Sequence, residues 1–187
     1  MDKLLKVGIF FFSMEGWLLL VLQALYFFLP VYLANMAPEL VGWIPWKKSV
    51  WEKGLGKNKT WRGVIVAVVV GGLVFYVQKL LYSFGFFNQL SIIDYSDFSI
   101  VLGLLMGIGA MVGDMGESYF KRKLGLKPGE SWKPWDQLDF VIGGLLLGMF
   151  VYVPPVSIMA VLLIVSPVLH ILANRIGYWL KIHDTKW

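Results

Sequence analysis

The stretch from Gly113 to Phe140, GDMGESYFKRKLGLKPGESWKPWDQLDF, is the most charged segment of the chain, yet apolar runs long enough to cross a bilayer lie on both sides of it. Asp114, Glu117, Lys121, Arg122 and Lys123 crowd one end, and Asp136 and Asp139 stand at the other. Ionised side chains next to hydrocarbon are costly and mark functional sites. So many charges at two helix ends must bring something other than stability. The reading that fits is an active site for phosphate chemistry at a membrane surface.

Composition supports the membrane. The chain is 58% hydrophobic and 16% charged, with a mean hydropathy of +0.68, whereas soluble domains are about 45–50% apolar and about 25% charged. Each span needs on the order of 20 apolar residues, so about five fit in 187. The fold class expected is all-α, a polytopic integral membrane protein of five transmembrane helices in one domain. The absence of cysteine excludes disulfides, thiolate metal sites and cysteine nucleophiles. Two histidines, His170 and His183, are too few for a His-based zinc centre.

In order along the chain, Lys3 and Lys6 precede an apolar run that resembles a signal peptide. It continues past Pro30 without a small-residue cleavage site and is read as a retained helix. The spans expected are about 15–36, 61–81, 97–112, 136–153 and 156–179, with cytoplasmic loops at 37–60 and 113–135. Pro30 is expected to kink the first. Gly103/Gly107, Gly109/Gly113 and Gly144/Gly148 have the small-xxx-small spacing that lets helices approach closely.

Five spans put the termini on opposite sides, and basic residues set the orientation. Of the 17, fourteen fall in the two charged loops with Arg62 and at the C-terminal end; only Lys3, Lys6 and Lys79 lie on the other face. The expectation is a multi-pass cell-membrane protein with its N-terminus outside, and its C-terminus and active site cytoplasmic.

Three constellations carry chemistry. If the third span continues into the cytosol, Asp114, Glu117, Ser118 and Lys121 form one polar stripe at helical spacing. Asp136 and Asp139, three apart, open the next span, where the helix dipole alone would favour carboxylates. Together the two ends can converge on a hard divalent cation, since magnesium takes a few carboxylates plus waters and substrate phosphates. The second set is Lys57-Asn58-Lys59-Thr60-Trp61-Arg62-Gly63, a helix start whose backbone amides suit an anion. Asn58 and Thr60 there can cap the helix or hydrogen-bond a base or sugar. The third is His170, Asn174, Arg175 and His183-Asp184, read as helix-to-helix hydrogen bonding rather than catalysis.

Two other classes compete: a small transporter and a lipid-binding scaffold. A transporter would carry ionisable groups at mid-span, and spans two to four have none. A scaffold would need bases but no clustered carboxylates.

Ser118-Tyr119-Phe120-Lys121-Arg122, followed by Asp136-Gln137-Leu138-Asp139, resembles the signature of membrane CTP:phosphatidate cytidylyltransferases. That signature reads Ser-x-x-Lys-Arg, a Gly-rich loop, then Asp-Arg-x-Asp. Gln137 stands where it has arginine, and Lys127 to Trp132 replaces its loop. Those departures, the short length and Lys59-Thr60-Trp61-Arg62-Gly63 are closer to the archaeal branch, the CDP-archaeol synthases.

The resemblance implies magnesium-dependent transfer of CMP from CTP to an isoprenoid ether-lipid phosphate, 2,3-bis-O-geranylgeranylglycerol 1-phosphate. Bacterial-type phosphatidate, an ester-lipid acceptor, is the alternative. Carried onto this sequence, Asp114, Asp136 and Asp139 are the metal ligands, and Lys121 joins them as catalytic. Lys57, Asn58, Lys59, Thr60, Arg62, Gly63, Glu117, Ser118, Arg122 and Lys133 are substrate-binding candidates. The partners implied are CTP, the lipid phosphate and membrane lipids, with no nucleic acid. An oligomer is compatible with this reading.

Overall fold

A computed structural model describes residues 14–127 and 130–179, with side chains at 173, 174, 177 and 178 excepted. Among these residues the regular structure is helical, apart from one isolated antiparallel bridge between Ser49 and Thr60. The helices are α1 (Met14–Leu40), α2 (Glu52–Leu55), α3 (Trp61–Leu81), α4 (Gly85–Leu90), α5 (Val101–Lys123), α6 (Asp139–Gly148) and α7 (Val156–Trp179). A single 3₁₀ turn, Trp135–Gln137, precedes α6.

Three helices, α1, α3 and α5, are long and apolar enough to cross a membrane. At 1.5 Å per residue the 27 residues of α1 extend about 40 Å, against about 30 Å of hydrocarbon. Helix α1 runs on through Pro30 and Pro38, and Glu15 is exposed near its start. Large apolar side chains face outward along these helices, among them Leu18, Leu22, Ile65, Val69, Leu73 and Leu146. In lipid such a surface is the favourable one.

Three helices differ from the spans expected, α1 among them, since it runs past 36 to Leu40. Where a span was placed at 97–112, α5 starts at Val101 and continues to Lys123, so the polar stripe stays helical and rigid. Where a span was placed at 136–153, α6 holds only 10 residues, about 15 Å. Turns at 149–151 lead from it to Pro154 and Pro155. The apolar sequence continues past Gly148 without a polar break, so its composition does not mark where the helix ends.

Glycines set the packing. A Cβ on Gly71 would lie 2.6 Å from the Gly103 carbonyl oxygen, and one on Gly107 2.8 Å from that of Ala67. Helices α3 and α5 therefore cross antiparallel with their backbones touching. On the other side of α5, a Cβ on Gly109 would sit 2.3 Å from the Gly143 oxygen, and one on Gly113 2.0 Å from the Asp139 oxygen. The small-xxx-small pairs of α5 thus face two different neighbours, with four residues of each pair making one turn's repeat.

Away from the charged end, Tyr95 is fully buried and packs on Tyr26, Phe75 and Tyr82. Lys79 closes that end by donating to the carbonyls of Ser96 and Phe98. Tyr32 on α1 hydrogen-bonds Ser166 on α7 at 2.6 Å, tying the last helix to the first.

Candidate active site

The two glycine crossings decide which side chains meet. Continuing the α3–α5 register past Ala67 and Gly107 brings Lys59, two residues before α3, opposite Asp114. Continuing the α5–α6 register past Gly113 and Asp139 brings Glu117 and Lys121 towards the 3₁₀ turn and Asp136. The contacts follow that geometry.

Lys59 Nζ donates to both oxygens of Asp114, at 2.6 and 2.5 Å. Its backbone is held by the bridge to the preceding loop, where Val50 N–H donates to the Lys59 carbonyl at 2.8 Å and Trp61 N–H to that of Lys48 at 3.0 Å. Gly56 turns the chain into that bridge with φ 88°, a conformation that glycine alone adopts freely. Thr60 caps α3, its hydroxyl accepting from Gly63 N–H at 3.3 Å. Gly63 packs against Pro38, whose Cβ lies 3.2 Å from where a Gly63 Cβ would be.

Lys121 Nζ pairs with Glu117 Oε1 at 2.6 Å and with Asp136 Oδ1 at 3.0 Å. Asp136 Oδ2 also accepts from Trp132 N–H at 2.8 Å. Burial pushes the Asp136 carboxyl up, but the hydrogen bonds it accepts, from Trp132 N–H and Lys121 among them, outweigh this and hold it below the usual carboxylate range. Asp139 Oδ1 accepts from Phe140 N–H at 2.6 Å. Among the described residues no ion pair reaches Asp139.

Asp114, Glu117 and Asp139 each offer an oxygen within 4.8 Å of the others. This cluster differs from the ligand set expected from the sequence in one member: Glu117 stands in it, while Asp136 is turned to Lys121. Three carboxylates so close repel one another. Lys59 offsets Asp114, while Lys121 is shared between Glu117 and Asp136, so two lysines face four carboxylates and Asp139 has no ion pair among the described residues. A hard divalent cation fits that donor set and that deficit of charge.

A cavity of about 460 Å³ opens above Asp114. It is lined by Asn58, Lys59, Thr60 and Gly63 from the α3 start, Asn35 and Glu39 from α1, and His170 from α7. Asn35 and Glu39 are absent from the candidates drawn from the sequence. Their spacing of four on an apolar helix was the available signal. His170 also packs edge-on against Phe140 with centroids 5.6 Å apart, so it faces the site as well as the bundle.

Other candidates are placed elsewhere. Arg62 donates to the carbonyls of Gly42 and Ile44, tying α3 to the end of α1. Arg122 donates to the Leu126 carbonyl at 2.5 Å, holding the loop that leaves α5. Lys57 is exposed and 3.5 Å from Glu52. Ser118 is buried beside Glu117, its hydroxyl 3.4 Å from Oε2, and Lys133 is exposed. His183 and Asp184 lie outside the described residues, as does the side chain of Asn174.

Apolar helices carrying a carboxylate cluster flanked by lysines at their charged ends define a helical membrane protein suited to phosphate or metal chemistry. The particular family follows from comparison with known proteins. A family model described as CarS-like, CDP-archaeol synthase, matches residues 17–187, and the chain belongs to that family. Similar relatives include the CDP-archaeol synthases of Pyrococcus furiosus, 32% identical over 89% of this chain and 98% of the relative, and Methanocaldococcus jannaschii, 32% over 90% and 98%. That of Methanoregula boonei is 36% identical over 71% of this chain and 81% of its own. A solved structure, described as giving structural insight into an intramembrane enzyme for archaeal membrane lipids biosynthesis, shares the fold with a TM-score of 0.67. It is 24% identical and is matched over 82% of this chain and 94% of its own.

Proposed function

We propose that the protein transfers CMP from CTP to 2,3-bis-O-geranylgeranylglycerol 1-phosphate, giving CDP-archaeol and pyrophosphate. The observation that carries this reading is the convergence of Asp114, Glu117 and Asp139 within 4.8 Å, flanked by Lys59 and Lys121, in a chain of the CDP-archaeol synthase family.

The nucleophile is an oxygen of the lipid phosphate. With a second pKa of about 6, a phosphate monoester is already largely dianionic at neutral pH and needs no general base. That oxygen bonds to the α-phosphorus of CTP while the α–β anhydride bond breaks and pyrophosphate leaves. Asp114, Glu117 and Asp139 would hold magnesium, with Asp136 as a further ligand. Bound there, the ion offsets repulsion between two anionic reactants and stabilises the leaving pyrophosphate.

The protein's own part is positioning and charge. Asn58, Thr60 and Gly63 line the cavity offered to the nucleotide, and Lys59 supplies the cation beside its phosphates. Lys121 holds Glu117 and Asp136 in register and offsets one of their two charges. Fixed charges in a partly desolvated site act more strongly than they would in water. Arg62 and Arg122 hold the loops that follow α1 and α5.

The helices are taken to place this site at the cytoplasmic face of the cell membrane, with five spans and the N-terminus outside. The concentration of basic residues in the loops at 37–60 and 113–135 supports that orientation.

The test uses purified protein in proteoliposomes with radiolabelled CTP and either the geranylgeranyl ether-lipid phosphate or phosphatidic acid. Labelled CDP-lipid should form with the ether acceptor. Exclusive use of phosphatidic acid would move the specificity to ester lipids, and no product from either would refute the transferase reading.

A further inference from the structure

The nucleotide cavity reaches only one side of the carboxylate cluster. On the other side, between α5 and α6, lies a second cavity of about 530 Å³ that is almost wholly apolar. Val112, Phe120 and Trp135 line it together with Ile142 and Leu146, and Gly116 forms part of its wall. Glu117 and Asp139, two of the three clustered carboxylates, also line it. Asp114 belongs to the polar cavity and not to this one. The cluster is thus the partition between a polar chamber and an apolar one.

We propose that the α5–α6 groove is the acceptor subsite, holding the first part of an isoprenoid chain so that the lipid phosphate meets the carboxylate cluster from the side opposite CTP. This rests on the cytidylyl-transfer reading. Three observations commit the groove to an amphiphile with an anionic head. Its walls are apolar, and Leu146, Phe120 and Val112 at its mouth are exposed where lipid would lie. Its volume falls within the roughly 300–1,000 Å³ of ligand sites. At its inner end stand Glu117 and Asp139, with Lys121 Nζ 2.6 Å from Glu117 behind them, so an anionic head there would meet a lysine and carboxylates able to share a cation with it. Approach from opposite sides also fits the displacement, because the attacking oxygen and the leaving pyrophosphate stand on opposite faces of the α-phosphorus.

Gly116 gives the means to test it. A Cβ built there meets nothing within 4 Å, and Gly116 lines the groove, so a larger side chain would start into open space there. Replacing a helical glycine also favours the helix. Gly116→Leu and Gly116→Phe should therefore fold normally and fill the groove. With the wild-type enzyme active, both should raise KM for the long-chain acceptor at least tenfold while leaving magnesium–CTP binding, measured by calorimetry, within twofold. A short-chain ether phosphate should be affected far less. Leu73→Trp, which adds bulk to an exposed apolar site on α3, should change nothing.

As a second readout, a diazirine-bearing ether-lipid phosphate should crosslink to α5 and α6 residues of the groove and be competed by unlabelled acceptor. Unchanged acceptor kinetics in both Gly116 variants would overturn the assignment. So would crosslinking that only bulk phospholipid displaces, which would make the groove a resting place for membrane lipid. Failure of the wild-type enzyme to transfer CMP to any lipid phosphate would instead refute the underlying function.

Discussion

At the scale of single residues, the site separates groups that line the cavity or join the carboxylate cluster from groups that hold the frame. Asp139 lies in the cluster with no ion pair among the described residues, so Asp139→Asn removes a ligand without freeing a lysine. The expected result is a loss of CMP transfer of roughly 100-fold or more in a protein with an unchanged melting temperature. Lys121 and Lys123 make a sharper contrast. Lys121 bridges Glu117 and Asp136, whereas Lys123 is exposed at the end of α5. Lys121→Ala should cost far more activity than Lys123→Ala, and equal losses in a side-by-side assay would mean that the basic run acts only as a membrane anchor. Arg62, whose guanidinium binds two loop carbonyls, should show mainly in stability. Hydrogen bonds from a charged group contribute about 1.5–3 kcal/mol, so Arg62→Ala should lower the melting temperature. A variant of native stability with weakened CTP binding would assign Arg62 to the substrate instead.

What was legible at this scale had a local cause. Asp114, Glu117 and Lys121 could be grouped from the sequence because helical spacing fixes which side chains share a face. Asp139 could be added because it opens the next apolar run. The hydrogen-bond partners of Arg62 and Arg122 could not be read, because a guanidinium beside a helix end is equally suited to a phosphate or to loop carbonyls, and the loop path decides which carbonyls lie near. Whether Glu117 or Asp136 joins the cluster is likewise a matter of register between α5 and the 3₁₀ turn. No single segment contains that information.

At the scale of elements, the α5–α6 crossing is what assembles the cluster. A methyl group on Gly113 would approach the Asp139 carbonyl oxygen to 2.0 Å and one on Gly143 would approach that of Gly109 to 2.1 Å, both against backbone that cannot rotate away. Gly113→Ala and Gly143→Ala should each destabilise by about 1–3 kcal/mol and separate Asp114 and Glu117 from Asp139. The expected readout is a lower melting temperature together with weaker magnesium dependence of transfer. Gly116→Ala, on the same helix but facing open space, should keep wild-type stability. The glycine pairs were visible in the sequence as close-packing sites, but not the division of labour in which Gly103 and Gly107 serve α3 while Gly109 and Gly113 serve α6. The shortness of α6 was hidden for a related reason, since Met149 and Phe150 continue the apolar run without helix.

At the scale of the whole molecule, the account needs one polar chamber and one apolar groove meeting at a single wall of carboxylates, with both loops on one side of the membrane. The native chain has no cysteine, so single-cysteine variants report sidedness directly. Lys47→Cys should react with an impermeant maleimide only from the cytoplasmic side, and Asn88→Cys only from the outside. The reverse pattern would invert the orientation. The central claim is that the Asp114–Glu117–Asp139 cluster carries magnesium-dependent CMP transfer. Its most direct measurement is the rate of CDP-lipid and pyrophosphate formation by purified protein, with and without magnesium, for the wild type and for Asp114→Asn, Glu117→Gln and Asp139→Asn. The account predicts equal yields of the two products from the wild type, none after chelation of the metal, and a collapse of both in each variant. Substantial turnover without magnesium, or in any of the three variants, would contradict it.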